Sequence, residues 1–420
     1  MKELVINGTD RLCGSVDIQG SKNAALPILA ATLLTSGECV IHNCPDITDV
    51  RAALKILKGL GADACLEGNT AVVCAKGADG SIIPRELMEK MRSSVMFLGA
   101  ILARQGEALI CLPGGCDLGE RPIDLHIKAL KKLGVEVTDV NGCIKCSLRR
   151  IRPCRINLLY PSVGATENIM LMCASCGCEV YISGAAKEPE IVDLQNFLNL
   201  MGADIRGAGT DEIRIIGKDS LHGCEYSVMP DRIVAATYAC AAACGGDVVL
   251  KGAESGHIKT VLGALSETGC EISSQNGIRI KSNGYIKPVE MIKTLPYPGF
   301  PTDVQPILCS VLSKADGTSK VWETVFENRF AFVSELVMMG ADIDVDGCSA
   351  TIRGVKKLHG GMVYAHDLRG GAALAVAALF AEGTTVIGKA EYIYRGYENI
   401  SRDLKNIGAD ITQIKSLSEE

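Results

Sequence analysis

The sequence predicts an α/β protein of two globular halves, each made of three repeated units in which a buried helix is wrapped by sheets and amphipathic helices. Three observations predict it. A short pattern recurs six times: an amphipathic helix runs into a Gly, then a small or β-branched residue, then an acidic or Cys position, and a strand follows. Its glycines are Gly61, Gly134, Gly202, Gly269, Gly340 and Gly408, spaced at about 70 residues. Each unit also carries an earlier segment that is apolar on every side, the mark of a helix buried all round. Finally, 420 residues exceed what one hydrophobic core holds, so the six units divide three and three.

Taken in order, residues 2 to 19 read as a strand that precedes the first buried helix and completes the C-terminal half, because the last unit lacks a full closing hairpin. The buried helices are expected at Ala24 to Leu34, Ser93 to Ala103, Ala165 to Ala174, Ile233 to Ala243, Val304 to Leu312 and Ala372 to Ala381. A strand follows most of them, as at Glu38 to Ile41 and Thr384 to Ile387. Each repeat glycine stands where a helix needs a left-handed C′ residue. The alternating segments after it, such as Ile205 to Ile216 and Ala341 to Ile352, suit hairpins. The boundary is placed near Met229-Pro230, giving one domain of residues 22–229 and another of residues 1–21 with 230–420. The cleft between them is the default ligand site.

Composition narrows the function. A formal charge of −6 argues against a general nucleic-acid binder, and 4% aromatics with one Trp against a base-stacking platform. The N-terminus has an early acid and no apolar h-region, and no apolar run is long enough for a bilayer. A cytoplasmic protein with no membrane partner is expected, its 19 cysteines reduced thiols.

The buried helices open on polar and often basic residues: Ser21-Lys22-Asn23, Arg92-Ser93, Ser162 to Thr166, Asp231-Arg232, Thr302-Asp303 and Asp367-Leu368-Arg369. Helix N-termini attract anions, and a cation there opposes the helix dipole. Repeating that arrangement points to a highly anionic ligand, against the alternative of salt bridges between the halves. The segment Leu112 to Pro122 is a Gly-rich surface loop that displays Cys116, with Arg121 five residues on. A guanidinium lowers a thiol's pKa and the adjacent Asp117 raises it, so the residues alone leave Cys116 between a reactive thiol and one more cysteine. The Cys143/Cys146 and Cys173/Cys176/Cys178 spacings lack partners for a four-ligand zinc site. No Gly-Lys-Ser/Thr phosphate loop or complete dinucleotide motif occurs. Neither a metal nor a cofactor is expected.

Several motifs then converge: Ser21-Lys22-Asn23-Ala24-Ala25-Leu26-Pro27, Gly114-Gly115-Cys116 with Arg121-Pro122-Ile123-Asp124-Leu125-His126, and Ser162-Val163-Gly164-Ala165-Thr166-Glu167-Asn168. Others are Glu188 to Asp193, Phe300-Pro301-Thr302-Asp303, Phe326 to Phe330, Asp367-Leu368-Arg369 and Arg395-Gly396-Tyr397-Glu398. Over essentially the whole chain, the sequence resembles the UDP-N-acetylglucosamine 1-carboxyvinyltransferase family. The resemblance implies two inside-out α/β barrel-like domains of three repeats each. It implies transfer of the enolpyruvyl group of phosphoenolpyruvate to the 3-hydroxyl of UDP-N-acetylglucosamine, by addition and elimination without a metal, at the start of peptidoglycan precursor synthesis.

The same resemblance implies the roles. Asp303 is the base and Cys116 the acid, its thiolate also able to form an adduct. Lys22, Arg121 and Arg395 hold the phosphate and carboxylate, with Asn23, Arg92, Arg329 and Arg369 beside them. The UDP-sugar is implied to contact Asn23, Arg92, Arg121, Pro122, Ile123, Asp124, Leu125, Ser162, Val163, Gly164, Asp303 and Val325. Tyr160 departs from family members that carry a basic residue there. A Tyr offers stacking on uracil or a hydrogen bond to phosphate instead. Two rivals are a sibling enzyme acting on shikimate 3-phosphate, against which the Gly114-Gly115-Cys116 loop argues, and a silent paralogue that binds UDP-sugar.

Overall fold

The computed structural model describes residues 2–90, 92–111, 123–140, 143–275 and 277–415, and the backbone alone of residues 89, 90, 92, 93, 111 and 415. Cys116, Arg121 and Pro122, and the side chain of Arg92, lie outside what is described. The described chain forms two compact units, residues 20–229 and residues 2–19 with 230–415, each with its own hydrophobic core. No described helix is long and apolar enough to cross a membrane.

All six apolar segments are helical. They are Lys22–Ala31, Phe97–Gln105 with a 3₁₀ turn at Arg92–Met96 before it, Val163–Cys173, Arg232–Ala243, Gln305–Leu312 and Leu368–Ala378. In the first, every residue from Ala24 to Ala31 is buried, and in the fourth every residue is. Within each unit the three core helices touch one another, and their Ala, Gly and Cys positions let them approach closely. Gly99, for example, sits so near Asn168 that a Cβ would stand 2.3 Å from that residue's carbonyl oxygen. Burying one Leu or Ile of such a helix is worth about 1.5–3 kcal/mol.

The sheets repeat one plan. In the first repeat, Glu38–His42 pairs antiparallel with Thr70–Cys74, which pairs antiparallel with Asp63–Glu67, and Glu225–Ser227 runs parallel on the far side of Glu38–His42. In the sixth, Thr384–Gly388 has Met362–Tyr364 parallel on one side and Lys2–Asn7 antiparallel on the other, followed by Asp410–Lys415. The N-terminal strand thus fills the place of the missing hairpin strand. Its register sets Leu4 opposite Ile387 and Ile6 opposite Ile411, all buried. Residues 2 to 19 form two strands rather than one, Lys2–Asn7 and Leu12–Asp17. The break is at Gly8, where a Cβ would lie 2.0 Å from the Ala381 carbonyl oxygen. The second strand joins Gly246–Lys251 in parallel, in the fourth repeat's sheet. Among the described residues the second repeat has three strands, with Ile82 bridging Leu109 where the parallel strand would be.

All six repeat glycines have positive φ, between 91° and 107°. At Gly61, Gly202, Gly269, Gly340 and Gly408 the turn is the same: the N–H after the glycine reaches back to a carbonyl near the helix end, as Ala62 to Leu57 at 3.0 Å, Ala203 to Leu198 at 3.0 Å and Ala409 to Leu404 at 3.0 Å. Gly269 isolates the conformational part of this requirement, because the nearest atom to an added Cβ is the Tyr285 carbonyl oxygen at 3.8 Å. Gly269→Ala is therefore expected to lower the unfolding free energy by about 1–2 kcal/mol through backbone strain alone, read as a lower urea midpoint at unchanged slope.

Candidate functional site

In the unit of residues 2–19 and 230–415, three core helices begin at a shared polar cluster. Asp231 caps Arg232–Ala243 by accepting from Ile233 and Val234 N–H at 2.8 and 3.0 Å. Asp367 caps Leu368–Ala378 by accepting from Arg369 and Gly370 N–H at 2.8 and 3.1 Å. Asp303 lies just before Gln305–Leu312, half-buried between two guanidinium groups. Arg329 Nη2 donates to its Oδ1 at 2.6 Å and Arg369 Nη2 to its Oδ2 at 3.0 Å. Arg329 Nε also donates to the Thr302 carbonyl at 3.1 Å. Both arginines are almost fully buried. Burial would lower the Arg369 pKa, yet Asp303, Tyr397 and Asp231 together raise it, so the group stays charged. Its Nη1 is buried without a hydrogen-bond acceptor among the described residues. A buried cationic donor with spare capacity, beside a carboxylate held by two guanidiniums, is an arrangement that receives an anion.

Two residues that the sequence reading missed hold this cluster. Glu323, 1% exposed, accepts from Thr294 and Thr302 hydroxyls at 2.9 and 3.0 Å and from Val325 and Phe326 N–H at 2.7 and 3.1 Å. It ties the segment before Asp303 to the segment holding Val325. Gln19 is also buried. Its Nε2 donates to the Gly396 carbonyl at 3.1 Å, its Oε1 accepts from Glu398 N–H at 2.9 Å, and its own carbonyl accepts from Asp231 N–H at 2.8 Å. The Gly396–Glu398 turn follows directly on the half-buried Arg395. No motif flags either residue; each is a polar side chain among apolar neighbours, a pattern that many surface residues share.

In the unit of residues 20–229, Ser21 and Ser162 cap the first and third core helices, accepting from Ala24 and Ala165 N–H at 3.3 Å each. Lys22, in the first turn, donates to the buried Asp49 at 2.9 Å. Asn23, Ser162, Val163 and Gly164 are half-buried beside these helix starts. Asn168 pins the third helix to its neighbours. Its Oδ1 accepts from Gly99 N–H at 2.6 Å, and its Nδ2 faces His126 Nδ1 at 3.0 Å. Ile123, Asp124 and Leu125 open the helix that carries His126. Leu125 lines a groove of about 270 Å³ together with Lys128, Lys132 and Arg155, three cations that the sequence reading did not single out. Tyr160 is exposed. Burial, with repulsion from Glu190 and Glu188, holds the Glu167 carboxyl well above the usual range.

Elsewhere, a cavity of about 590 Å³ lined by Asp10, Lys314 and Glu382, among others, shares no residue with either cluster. Among the described residues no group of three or more His, Cys, Asp or Glu is arranged to hold a metal ion. Sixteen described cysteines are free thiols, whereas Cys143 is disulfide-bonded, which departs from the expectation of thiols throughout.

A family model described as EPSP synthase (3-phosphoshikimate 1-carboxyvinyltransferase) matches residues 6–404. The UDP-N-acetylglucosamine 1-carboxyvinyltransferase 2 of Caldanaerobacter subterraneus subsp. tengcongensis is 53% identical over 99% of this chain and 100% of its own length. The UDP-N-acetylglucosamine 1-carboxyvinyltransferase 1 of Carboxydothermus hydrogenoformans is 46% identical over 99% of each chain. Among solved structures, the enolpyruvyl transferase NikO from Streptomyces tendae matches with a TM-score of 0.87 at 26% identity over 98% of both chains. EPSP synthase from Acinetobacter baumannii matches with a TM-score of 0.77 at 18% identity over 99% of this chain and 100% of its own, a likeness of fold.

The His126 environment has a measurable consequence. Burial lowers its pKa to about 4 from an ordinary 6.5, so the folded chain holds it neutral while the unfolded chain protonates it first. The resulting stabilisation is complete above pH 6.5 and is lost as pH falls towards 4. Chemical denaturation across that window is expected to show up to about 3 kcal/mol lost to this group, and a correspondingly shallower pH dependence in His126→Gln.

Proposed function

The chain belongs to the enolpyruvyl transferase family of EPSP synthase and, within it, to the UDP-N-acetylglucosamine 1-carboxyvinyltransferases, and on that footing we infer how it works. It transfers the enolpyruvyl group of phosphoenolpyruvate to the 3-hydroxyl of UDP-N-acetylglucosamine and releases phosphate. Identity of 53% along the full length of an enzyme so named carries the choice of acceptor. The product on this reading is a peptidoglycan precursor made in the cytoplasm.

Addition requires a proton delivered to the methylene carbon of phosphoenolpyruvate and one taken from the sugar hydroxyl; elimination takes a proton back from the methyl group so formed and gives one to the departing phosphate oxygen. We assign the base to Asp303. Its contacts with Arg329 and Arg369 keep it ionised and accepting. Phosphoenolpyruvate, with close to three negative charges, competes for those same guanidiniums. Its arrival draws a donor from the carboxylate and leaves an oxygen to take the hydroxyl proton. The Arg369 Nη1, without an acceptor among the described residues, supports this exchange, since an incoming oxyanion supplies one. Cys116 is assigned as the acid, and Arg121 joins Lys22 and Arg395 in the clamp on phosphate and carboxylate. Asp49 holds Lys22 by an ion pair, which favours the charged amine.

Asn23, Arg92, Pro122, Ile123, Asp124, Leu125, Ser162, Val163, Gly164 and Val325 are assigned to the UDP-sugar. Gln19 acts as a positioning residue, because its two side-chain hydrogen bonds fix the turn that immediately follows Arg395.

Phosphate release measured with both substrates tests the activity: release that requires both is expected, and a chain that binds UDP-N-acetylglucosamine without turnover would instead be a silent paralogue. Lys22→Ala and Arg395→Ala are each expected to lose at least two orders of magnitude in kcat/KM, about 3 kcal/mol. Gln19→Ala is expected to raise KM for phosphoenolpyruvate by about tenfold, the worth of one or two buried hydrogen bonds, with KM for the UDP-sugar unchanged. Cys116→Asp should keep part of the turnover and Cys116→Ser far less, since a carboxylic acid gives up a proton much more readily than a hydroxyl. A small epoxide phosphonate should label Cys116, and faster with UDP-N-acetylglucosamine present, as peptide mass spectrometry reads directly.

A further inference from the structure

Four thiols gather at the far end of the third core helix. Cys173 is its last residue, Cys176 and Cys178 lie in the turn that follows, and Cys154 lies on the adjacent parallel strand, opposite Val180. Cys176 Sγ is 3.5 Å from Cys178 Sγ and 3.4 Å from the Cys178 carbonyl oxygen. Gly177 between them has a φ of +62°, which turns the chain so that the two sulfurs meet. Room for the first sulfur comes from Gly217, where a Cβ would stand 2.7 Å from Cys176 Sγ. Both thiols are half-buried and within reach of a small reagent, whereas Cys173 is fully buried. Nothing in enolpyruvyl transfer uses this cluster.

We propose that Cys176 and Cys178 form a thiol–disulfide exchange site for small-molecule disulfides, with Cys176 as the attacking sulfur and Cys178 as the resolving one. The assignment of roles follows from the contacts. The hydrogen bond from Cys173, and those within the Cys178 turn, lower the Cys176 pKa against the effect of burial. Burial and the contact with Cys176 push Cys178 up, while Arg150 acts the other way. Cys176 is thus the first of the cluster to become a thiolate, the nucleophilic form.

In the first step the Cys176 thiolate attacks one sulfur of the small disulfide. That disulfide's S–S bond breaks, and one small thiolate leaves with the bonding pair and takes up the proton that Cys176 released. In the second step Cys178 gives its proton to solvent and attacks Cys176 Sγ, and the other small thiolate departs and is protonated. Two protein thiols are oxidised to one disulfide, and one small disulfide is reduced to two thiols. The sulfurs close from 3.5 Å to about 2.05 Å, which the turn around Gly177 has to absorb.

The test uses the full chain with oxidised glutathione as the disulfide, then N-ethylmaleimide in denaturant to block the remaining thiols, and trypsin. No Lys or Arg interrupts residues 156–186, so one peptide ending at Lys187 carries Cys173, Cys176 and Cys178. The expected peptide has lost two hydrogens, carries one N-ethylmaleimide, on Cys173, and takes up two more after reduction with dithiothreitol. Cys178→Ser is expected to stop with one glutathione on Cys176. In Cys176→Ser the glutathionylation of Cys178 should be at least tenfold slower than that of Cys176 in the native chain. Three blocked thiols in the native peptide, under conditions that modify the exposed Cys65 and Cys348, would overturn the proposal. So would a bridge to Cys173, or a glutathione retained on the peptide of residues 156–187 from the native chain.

Discussion

A helix buried on every side still begins at an N-terminus, and there the backbone presents N–H groups with no partner inside the helix. Six helices of this chain are apolar all round, so the fold meets that constraint six times. Ser21, Ser162, Asp231 and Asp367 answer part of it with side-chain caps. What remains at each helix start is a patch of positive potential held by rigid, fully packed elements. Acidic and basic side chains gather around it: Asp49 against Lys22 in one unit, and Asp303 against Arg329 and Arg369 in the other. The chemistry of the chain grows from the unmet valence of its core.

The outer layers follow from the same requirement. A helix with no polar face must be covered by sheets and by helices that do have one, and the repeated plan of two hairpin strands with a parallel partner supplies the cover. The sixth repeat lacks a hairpin strand, and Lys2–Asn7 provides it. The first strand of the chain therefore completes the last sheet, and the next one, Leu12–Asp17, adds a parallel edge to the fourth. These two strands commit residues 2–19 to the unit formed mainly by the C-terminal half of the sequence.

Charge inside this fold is kept where it is balanced and suppressed where it is not. Asp303 stays an anion because two buried guanidiniums hold it. Glu167, buried near Glu190 and Glu188, has its carboxyl pushed well above the usual range instead. His126, packed against Asn168, is held as the neutral imidazole. On the reading proposed above, in which Asp303 is the base, a more highly charged anion claims those donors, and binding of one substrate activates the group that serves the other.

Repetition made much of the architecture legible in the sequence. The six glycines were visible because a left-handed helix end excludes other residues, and each was found at positive φ. The apolar segments were visible because nothing but burial accounts for them. Lys22, Asp303 and Arg369 stood out as polar groups at the starts of such segments. Tertiary structure alone decided which side chains meet: Asp303 with residues 26 and 66 positions away, Gln19 with Gly396 and Glu398, and Glu323 with Thr294, Thr302 and Val325. Periodicity carries no trace of such pairings. It reports the environment of one residue along its own helix or strand, whereas a hydrogen bond across a core depends on how distant elements pack, a property of the whole chain.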